Sequence, residues 1–528
     1  MTNRFVNMKK NYIKYMLMLP LAMSLTNGCK EFEDINTNPN TTTQVNSGLL
    51  ATNLILNVTR SDISSTKGFM QPGVLGKYLT WGEGQDNFQY NKLGRTNFDR
   101  LVTLRNVAPM ESAAINDGLK KSYQALGLVV SAYQFFIATM QVGDIPYTEA
   151  INGSTSHILQ PKYDTQKTVF LGILNQLELA DKLFSEGLAF EGDPIYNGSL
   201  DKWRRLTNSF ELHVLMNLYK KTSDVDLKVI ERFNNIVLNK PLMRDSKDNF
   251  ALVYTNAAGQ NYPWSDVPAG SGNSFVKSNY TMLSKTLLEP LKAMKDKRLF
   301  YYAKPSPVKI TGGLLASDYN AYPGAEPSDA FSSLQTMRVG KDYADLNNRY
   351  VQLINAEPVG VFNYWDLQFI LAEAAVRGWI SNAPAQSYYA AGIASSMTFI
   401  AGNTPDLADY NHNMKMDANY ITAYPVSPEV ILAGTLEQQI SQIITQKYLA
   451  NFLQGSKYQS WFENRRTGYP VFKLNASTNL NIPSAQLPLR WMYPSNELDY
   501  NSKNVSEAIQ RQYGGNDDNN QVMWILKN

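Results

Sequence analysis

The side chains that could carry acid–base, nucleophilic or metal chemistry in this sequence are three histidines, one cysteine and 46 aspartates and glutamates. His157, His213 and His412 stand far apart, and none sits in a spacing such as His-Glu-x-x-His, which puts two imidazoles on one helix face over a zinc ion. His213 falls in a helical pattern, where a lone histidine is ordinarily a satisfied core or surface residue. No Gly-x-Ser-x-Gly elbow exposes a serine. Gly82-x-Gly84 and Gly270-x-Gly272 lack the third glycine and the strand-to-helix setting of a phosphate loop, so they indicate turns. A single cysteine excludes a disulfide framework and Cys-rich zinc modules. Paired carboxylates for glycoside cleavage stay open at this level, because their separation is set by the fold. Apart from such carboxylate pairs, the sequence offers no catalytic constellation, no metal-ligand spacing and no cofactor motif.

Binding without bond-making needs less. A sugar ring presents an apolar C–H face and a rim of hydroxyls, so its site wants aromatic planes beside amide, carboxylate or guanidinium groups. Three segments have that mixture. The first is Tyr78 to Phe88, with Trp81, Asp86, Asn87 and Phe88 among its glycines; the second holds Tyr262 and Trp264, and the third Tyr319 and Tyr322. The competing reading for each aromatic is that it packs its own loop against the rest of the chain. Composition fits a neutral ligand: 18% of residues are charged, 12% are aromatic, 50 are asparagine, and the formal charge is +3. No Lys/Arg stripe supplies the electrostatic footprint of a nucleic-acid binder.

What must position these residues is largely helical. Apolar residues recur at steps of three and four over Leu119–Met140, Thr168–Phe184, Leu200–Tyr219, Asp224–Leu238, Tyr364–Ile380, Ala385–Ile400 and Leu436–Leu453. Short breaks at Thr222-Ser223 and Ser381 to Pro384 make neighbouring segments into helix hairpins. Small residues at Ala372, Ala374, Ala375, Gly392 and Ala394 would let helices approach closely. No clean 34-residue repeat emerges. Between the helical runs lie two stretches rich in Gly, Pro, Asn and aromatics, about 57–107 and 240–361, which read as loops with short strands or helices. Loops of that length inside a helical protein are uncommon unless they work as a functional surface.

The N-terminus carries an address. Arg4, Lys9, Lys10 and Lys14 precede an apolar run from Tyr15 to Leu25, shorter than the ~20 residues that span a bilayer. The run leads to Ser24-Leu25-Thr26-Asn27-Gly28-Cys29, which resembles a lipoprotein signal in which a peptidase cuts before the cysteine and the thiol takes lipid. Thr26 departs from the aliphatic residue usual in that pattern, and Asn27 is bulkier than is typical; an ordinary secretory signal is the alternative. Residues 1–28 are thus expected to be a signal peptide and 29–528 one mature domain, lipidated at Cys29 and tethered rather than spanning. Lys30 to Asp34 forms an acidic cluster similar to the surface-export tag of Bacteroidetes lipoproteins. Asp34 to Asn40 has calcium-loop spacing, but Pro39 stands where such a loop needs glycine and Val45 where it needs glutamate.

Val142-Gly143-Asp144-Ile145-Pro146-Tyr147-Thr148-Glu149-Ala150 resembles a block of the SusD/RagB family of outer-membrane nutrient-binding lipoproteins. Similar blocks follow in order: Ile195 to Ser199 with Trp203, Arg204, Arg205, Asn208 and Ser209; Leu371 to Ala375 with Arg377, Gly378 and Trp379; Tyr388, Tyr389, Gly392 and Ile393; Ile444 to Tyr448; Arg465 to Pro470; and Tyr493, Pro494 and Glu497. The resemblance implies a mostly α fold, with tetratricopeptide-like helix pairs as scaffold and a loop-rich face that holds ligand. It also implies a non-catalytic cell-surface protein in the outer membrane that passes an oligosaccharide, or in the alternative a peptide, to a SusC-like TonB-dependent barrel. A surface glycosidase or a ligand-free structural subunit would be rival classes. The block residues themselves read as structural: Asp144 and Pro146 suit a helix exit and turn, and Arg465 and Arg466 suit pairing with carboxylates or capping of carbonyls.

Overall fold

The computed structural model describes residues 46–60, 68–82, 89–151, 156–257, 260–266, 281–455 and 458–528. Ten helices carry the architecture: α1 (Ser47–Thr59), α2 (Asp117–Val142), α3 (Gln166–Glu186), α4 (Leu200–Asn217), α5 (Val229–Asn239), α6 (Tyr364–Val376), α7 (Ala385–Gly402), α8 (Leu436–Ala450), α9 (Gln459–Thr467) and α10 (Ser502–Tyr513). Their ends follow from local chemistry. The Asn116 side chain accepts from Leu119 N at 2.9 Å to start α2, and Gly143 at φ +93° stops it. Thr435 and Gln438 form a reciprocal capping box at the start of α8.

α2 packs along α3, α3 along α4, α4 against both α5 and α6, and α6 against α7 and α8. The helix pairs therefore stack into one layered scaffold. In α7, Gly392 has no room for a Cβ, which would sit 2.9 Å from the Phe369 ring of α6. α2 is long and apolar enough to cross a membrane by length and composition, yet 94% of its apolar window is buried inside the protein, where it is core.

Among the described residues, the segments between the helices contain eight short strands: β1 (Leu79–Trp81), β2 (Ile145–Pro146), β3 (Tyr163–Asp164), β4 (Phe250–Leu252), β5 (Thr281–Leu283), β6 (Ala303–Lys304), β7 (Asp345–Leu346) and β8 (Val359–Phe362). They pair antiparallel as β1–β5, β2–β3, β4–β8 and β6–β7. β1–β5 joins the two loop-rich stretches to one another, and β4–β8 and β6–β7 tie the second stretch to itself, so these segments are stitched together instead of standing free.

Buried polar ties fix the scaffold, and they explain the sequence blocks. Asp193 accepts from Ile195 N, Tyr196 N and Gly198 N at 2.9 to 3.0 Å and from Trp203 Nε1 at 2.8 Å. Arg466 donates to Glu373 at 2.6 and 2.7 Å and to Glu463 at 2.5 and 2.9 Å, while Lys447 donates to Glu463 at 2.6 Å. That network joins α6, α8 and α9. Arg465 has a different role: it donates to the carbonyls of Leu489 and Met140, at 2.6 and 2.9 Å, and so caps the C-terminal turn of α2. Both arginines thus pair with carboxylates or cap carbonyls, as expected from sequence.

Candidate binding pocket

A cavity of about 700 Å³, counted with its opening to solvent, lies between the end of α1, the turn before β1, the loop ahead of the 267–280 stretch and the α8–α9 connection. Pro72, Gly73 and Tyr78 form one wall; Tyr262, Pro263 and Trp264 form a second; Asn451, Leu453, Gln454 and Ser460 form a third. Thr59, Arg60, Phe69, Val359 and Gly455 complete the lining. Gly73 packs closely on Leu79, whose Cδ1 would lie 2.9 Å from a Cβ at this position and would have to shift to admit one.

Each wall is braced from behind. The Tyr78 hydroxyl donates to Tyr448 O at 2.7 Å and pairs with Ser460 Oγ at 2.7 Å, and its ring stacks on Tyr448 with centroids 4.2 Å apart. Trp264 meets Phe69 edge to face at 5.0 Å, and Tyr262 packs against Tyr254 at 5.9 Å and Tyr350 at 6.5 Å. The amide of Gln454 accepts from Gly360 N at 2.9 Å and donates to Glu357 at 2.7 Å. Asn451 donates to Asp366 at 2.7 Å and accepts from Trp365 Nε1 at 3.2 Å. These bonds fix the rotamers that line the cavity, so the site is held in shape by the scaffold.

Of the residues picked from sequence, Tyr262 and Trp264 come together here, 1% and 6% exposed. Trp81 lies in β1, opposite Thr281 and 3% exposed, outside the cavity lining. Tyr319 and Tyr322 gather elsewhere: both pack on Phe300, at 4.7 and 5.5 Å, and the Tyr322 hydroxyl donates to Ala316 O at 2.5 Å. Asp86, Asn87, Phe88 and Cys29 lie outside the described residues. Asn451, Gln454 and Ser460 were missed by sequence reasoning; the only local signal is that they follow or open helices next to the glycine at 455.

Acid–base chemistry finds no footing among the described histidines. Burial, with the nearby Lys447 charge, pushes His213 down to about 3, so it is neutral, and its ring lies against Phe136 and Phe210. His412 is also lowered by burial and its Nε2 bonds to Ala303 O at 3.0 Å. His157 is exposed. Among the described residues no group of three or more His, Cys, Asp or Glu is placed to hold a metal ion. What the cavity can do chemically is hold a ligand between aromatic walls.

The sequence pattern of a family described as SusD-like, starch-binding and associating with the outer membrane, matches residues 39–494. Among solved structures, a SusD homologue from Bacteroides fragilis shares 42% identity with a TM-score of 0.86, covering 92% of this chain and all of its own. A second SusD homologue from the same species shares 35% identity at a TM-score of 0.79, again covering 92% of this chain and 100% of the other. A chitin-binding SusD homologue from Flavobacterium johnsoniae matches in fold at 19% identity and a TM-score of 0.68, covering 91% of this chain and 98% of its own. No curated protein matches the chain by sequence.

Proposed function

This chain belongs to the SusD-like family, and on that premise we propose that it is a non-catalytic, lipid-anchored protein of the outer-membrane surface that captures an oligosaccharide for import. The supporting observation is the braced aromatic cavity, in which Tyr78, Tyr262 and Trp264 are set against a family whose description is starch-binding. Aromatic planes and amides held in place by the scaffold bind sugar rings with little ordering cost. Cys29 carries the lipid in this reading, and a SusC-like TonB-dependent barrel receives the ligand. On the sequence alone, Asp86, Asn87 and Phe88 are proposed as further ligand contacts in this reading, whereas any contact made by Trp81, Tyr319 or Tyr322 is proposed away from the cavity, whose lining does not include them.

Calorimetric titration of the lipid-free protein against a glycan panel tests the reading. Binding of at least one oligosaccharide, without product release on prolonged incubation, is the expected result. Peptide binding with no glycan bound would sink the sugar assignment, and product release would sink the non-catalytic one. Affinity capture from outer membranes should bring down a barrel, and its absence would remove the partner.

A further inference from the structure

The four arginines buried from solvent among the described residues each meet a carboxylate: Arg298 pairs with Asp296, Arg349 with Glu357, Arg490 with Asp517, and Arg466 with Glu373 and Glu463. Arg100 does not follow them. It stands partly buried in the short helical turn Asp99–Val102, and its one side-chain bond runs from Nη1 to Gln134 Oε1 of α2 at 3.1 Å. No carboxylate pairs with it among the described residues; Tyr458 and Tyr133 face it, and its chain neighbour Asp99 is exposed. Burial lowers its pKa from the ordinary arginine value, yet the group stays charged at neutral pH. A charge drawn partly out of water without a counter-charge is costly. The Nε and Nη2 groups make no bond to described residues and are not sealed from solvent, so an anion arriving from outside can reach them.

The position of Arg100 ties it to the cavity. Gln134 Nε2 donates to Asn57 Oδ1 of α1 at 2.8 Å, and Thr103 Oγ1 donates to the same oxygen at 2.9 Å. Asn57 lies one turn before Arg60, whose N–H still bonds Leu56 O at 2.9 Å, so the two share a helix face. Arg60 is exposed and lines the cavity; it is the one charged residue in that lining among the described residues. Beside Arg100, the Tyr458 hydroxyl donates to Gln71 Oε1 at 2.9 Å, and these two residues come just before the lining residues Ser460 and Pro72. The neutral polar lining is already engaged: Gln454 with Gly360 N and Glu357, Asn451 with Trp365 and Asp366, and Ser460 with Tyr78. Arg60 suits the negative end of the α1 dipole, whereas Arg100 has no such local reason for its charge.

We propose that Arg100 and Arg60 together hold the anionic group of an acidic glycan, a uronate carboxylate or a sulfate ester, at the mouth of the cavity. Guanidinium forks match the paired oxygens of either group. The inference rests on the glycan-binding reading above and narrows it from sugars in general to sugars that carry negative charge.

Calorimetry tests it on the wild type, Arg100→Gln, Arg60→Gln and Lys182→Gln. The probes are oligogalacturonate and alginate fragments, fragments of a sulfated galactan, and neutral malto-, chito- and xylo-oligosaccharides. Acidic fragments should bind at least ~10-fold more tightly than any neutral one, and less tightly as salt is raised. Preference between the carboxylated and the sulfated fragments separates uronate from ester. Arg100→Gln and Arg60→Gln should each weaken the acidic ligand by ~10-fold or more and blunt the salt dependence. Lys182→Gln, on the exposed side of α3, makes the same change in net charge and should leave affinity within ~2-fold. Arg100→Gln should unfold at the same urea concentration or a higher one, since no carboxylate loses its partner. Tightest binding of a neutral fragment overturns the inference and leaves the glycan reading standing, as does acidic binding that Arg100→Gln leaves unchanged. An Arg100→Gln variant clearly less stable than wild type overturns it too, because the charge would then be paired within the protein. Binding of no glycan of either kind brings down the glycan reading itself.

Discussion

The Lys77 ammonium is fully buried, bonded to the Lys473 carbonyl and lying 4.1 Å from the Tyr90 ring centroid and 5.5 Å from that of Phe472. Burial lowers its pKa to about 7, with the Glu326 charge opposing and Lys473 assisting. Glu211, on α4, is the reverse case: 1% exposed with one oxygen unpaired, and raised to about 8 by burial and by Glu178. For Lys77 the unfolded chain holds more protons than the folded one between pH ~7 and ~10, so this residue makes stability rise with pH over that window. For Glu211 the folded chain holds the proton between pH ~4.5 and ~8, so it makes stability fall there. Urea midpoints at pH 5, 7 and 9 separate the two. Lys77→Met should flatten the rise above pH 7, whereas Glu211→Gln should be stabilising by roughly 2–4 kcal/mol at pH 9 and much less at pH 5, at about 1.4 kcal/mol per unit of pKa difference. A Glu211→Gln variant equally stable to wild type at pH 9 would show that the carboxylate has a partner. Neither residue stands out in the sequence, because a lysine after a glycine or a glutamate in an amphipathic helix usually faces solvent. Tyr262 and Trp264 could be picked because large aromatics in a Pro- and Asn-rich loop are few; Asn451, Gln454 and Ser460 reach the same cavity from a distant part of the chain, and one sequence carries no signal for non-local pairing.

Elements were legible where a regular period runs to a chemical stop. α2, α3, α4 and α7 lie within about two residues of their periodic stretches, because apolar spacing sets the face and caps set the ends. α6 and α8 begin where expected and end three to four residues early, in turns whose apolar residues keep packing on the core. α5 starts five residues later than the apolar pattern from Asp224, because the Asp224 side chain accepts from Asp226 N and Leu227 N, at 3.0 and 3.3 Å, and Lys228 adopts φ 46°. α9 and α10 went unread. In α10 the signal was present, with Val505, Ala508, Ile509 and Tyr513 buried on one face before Gly514, but the helix is short and strongly polar overall. The connection from α3 to α4 shows how a loop can set an element. Gly198 at φ +73° would place a Cβ 2.0 Å from Phe190 O, and only this conformation brings its N–H to Asp193 beside the indole of Trp203. Asp193→Ala would strand three backbone donors and a buried indole N–H at the start of α4. A loss of about 3–4 kcal/mol is expected, seen as a lower urea midpoint with unchanged m-value, and a loss under about 1 kcal/mol would mean that the loop holds its shape without the carboxylate.

At the scale of the molecule, the formal charge of +3 belongs to residues 1–28, which hold four basic and no acidic side chains; the remainder carries 45 basic against 46 acidic residues. A near-neutral body must be held by packing and by ties between distant segments, and the last of these ties close the chain on itself. Arg511 of α10 donates to Asp144 at 2.5 and 2.9 Å, and the other oxygen of Asp144 accepts from Gln166 N, at the start of α3, at 2.8 Å. Tyr513 donates to Val142 O at 2.6 Å, Tyr493 to Asp144 O at 2.7 Å, and Ile525 N to Gln166 at 3.0 Å. The C-terminal segment is therefore part of the α2–α3 hairpin's own core, which argues for one cooperative unit over residues 47–528. Removing Arg511 leaves a buried carboxylate without its cation, at a cost of about 3 kcal/mol. Burial already pushes Asp144 above the usual carboxylate range against the pull of Arg511, and without the arginine it rises further. Arg511→Ala should thus lose most stability near pH 7 and less near pH 4, where Asp144 takes a proton. Calorimetry should still show one transition at a lower Tm, because the hairpin cannot melt without exposing the face that α4 covers. Two separated transitions would mean instead that the α2–α3 hairpin and the helices beyond it fold as independent halves, and that the terminal segment only fastens them together.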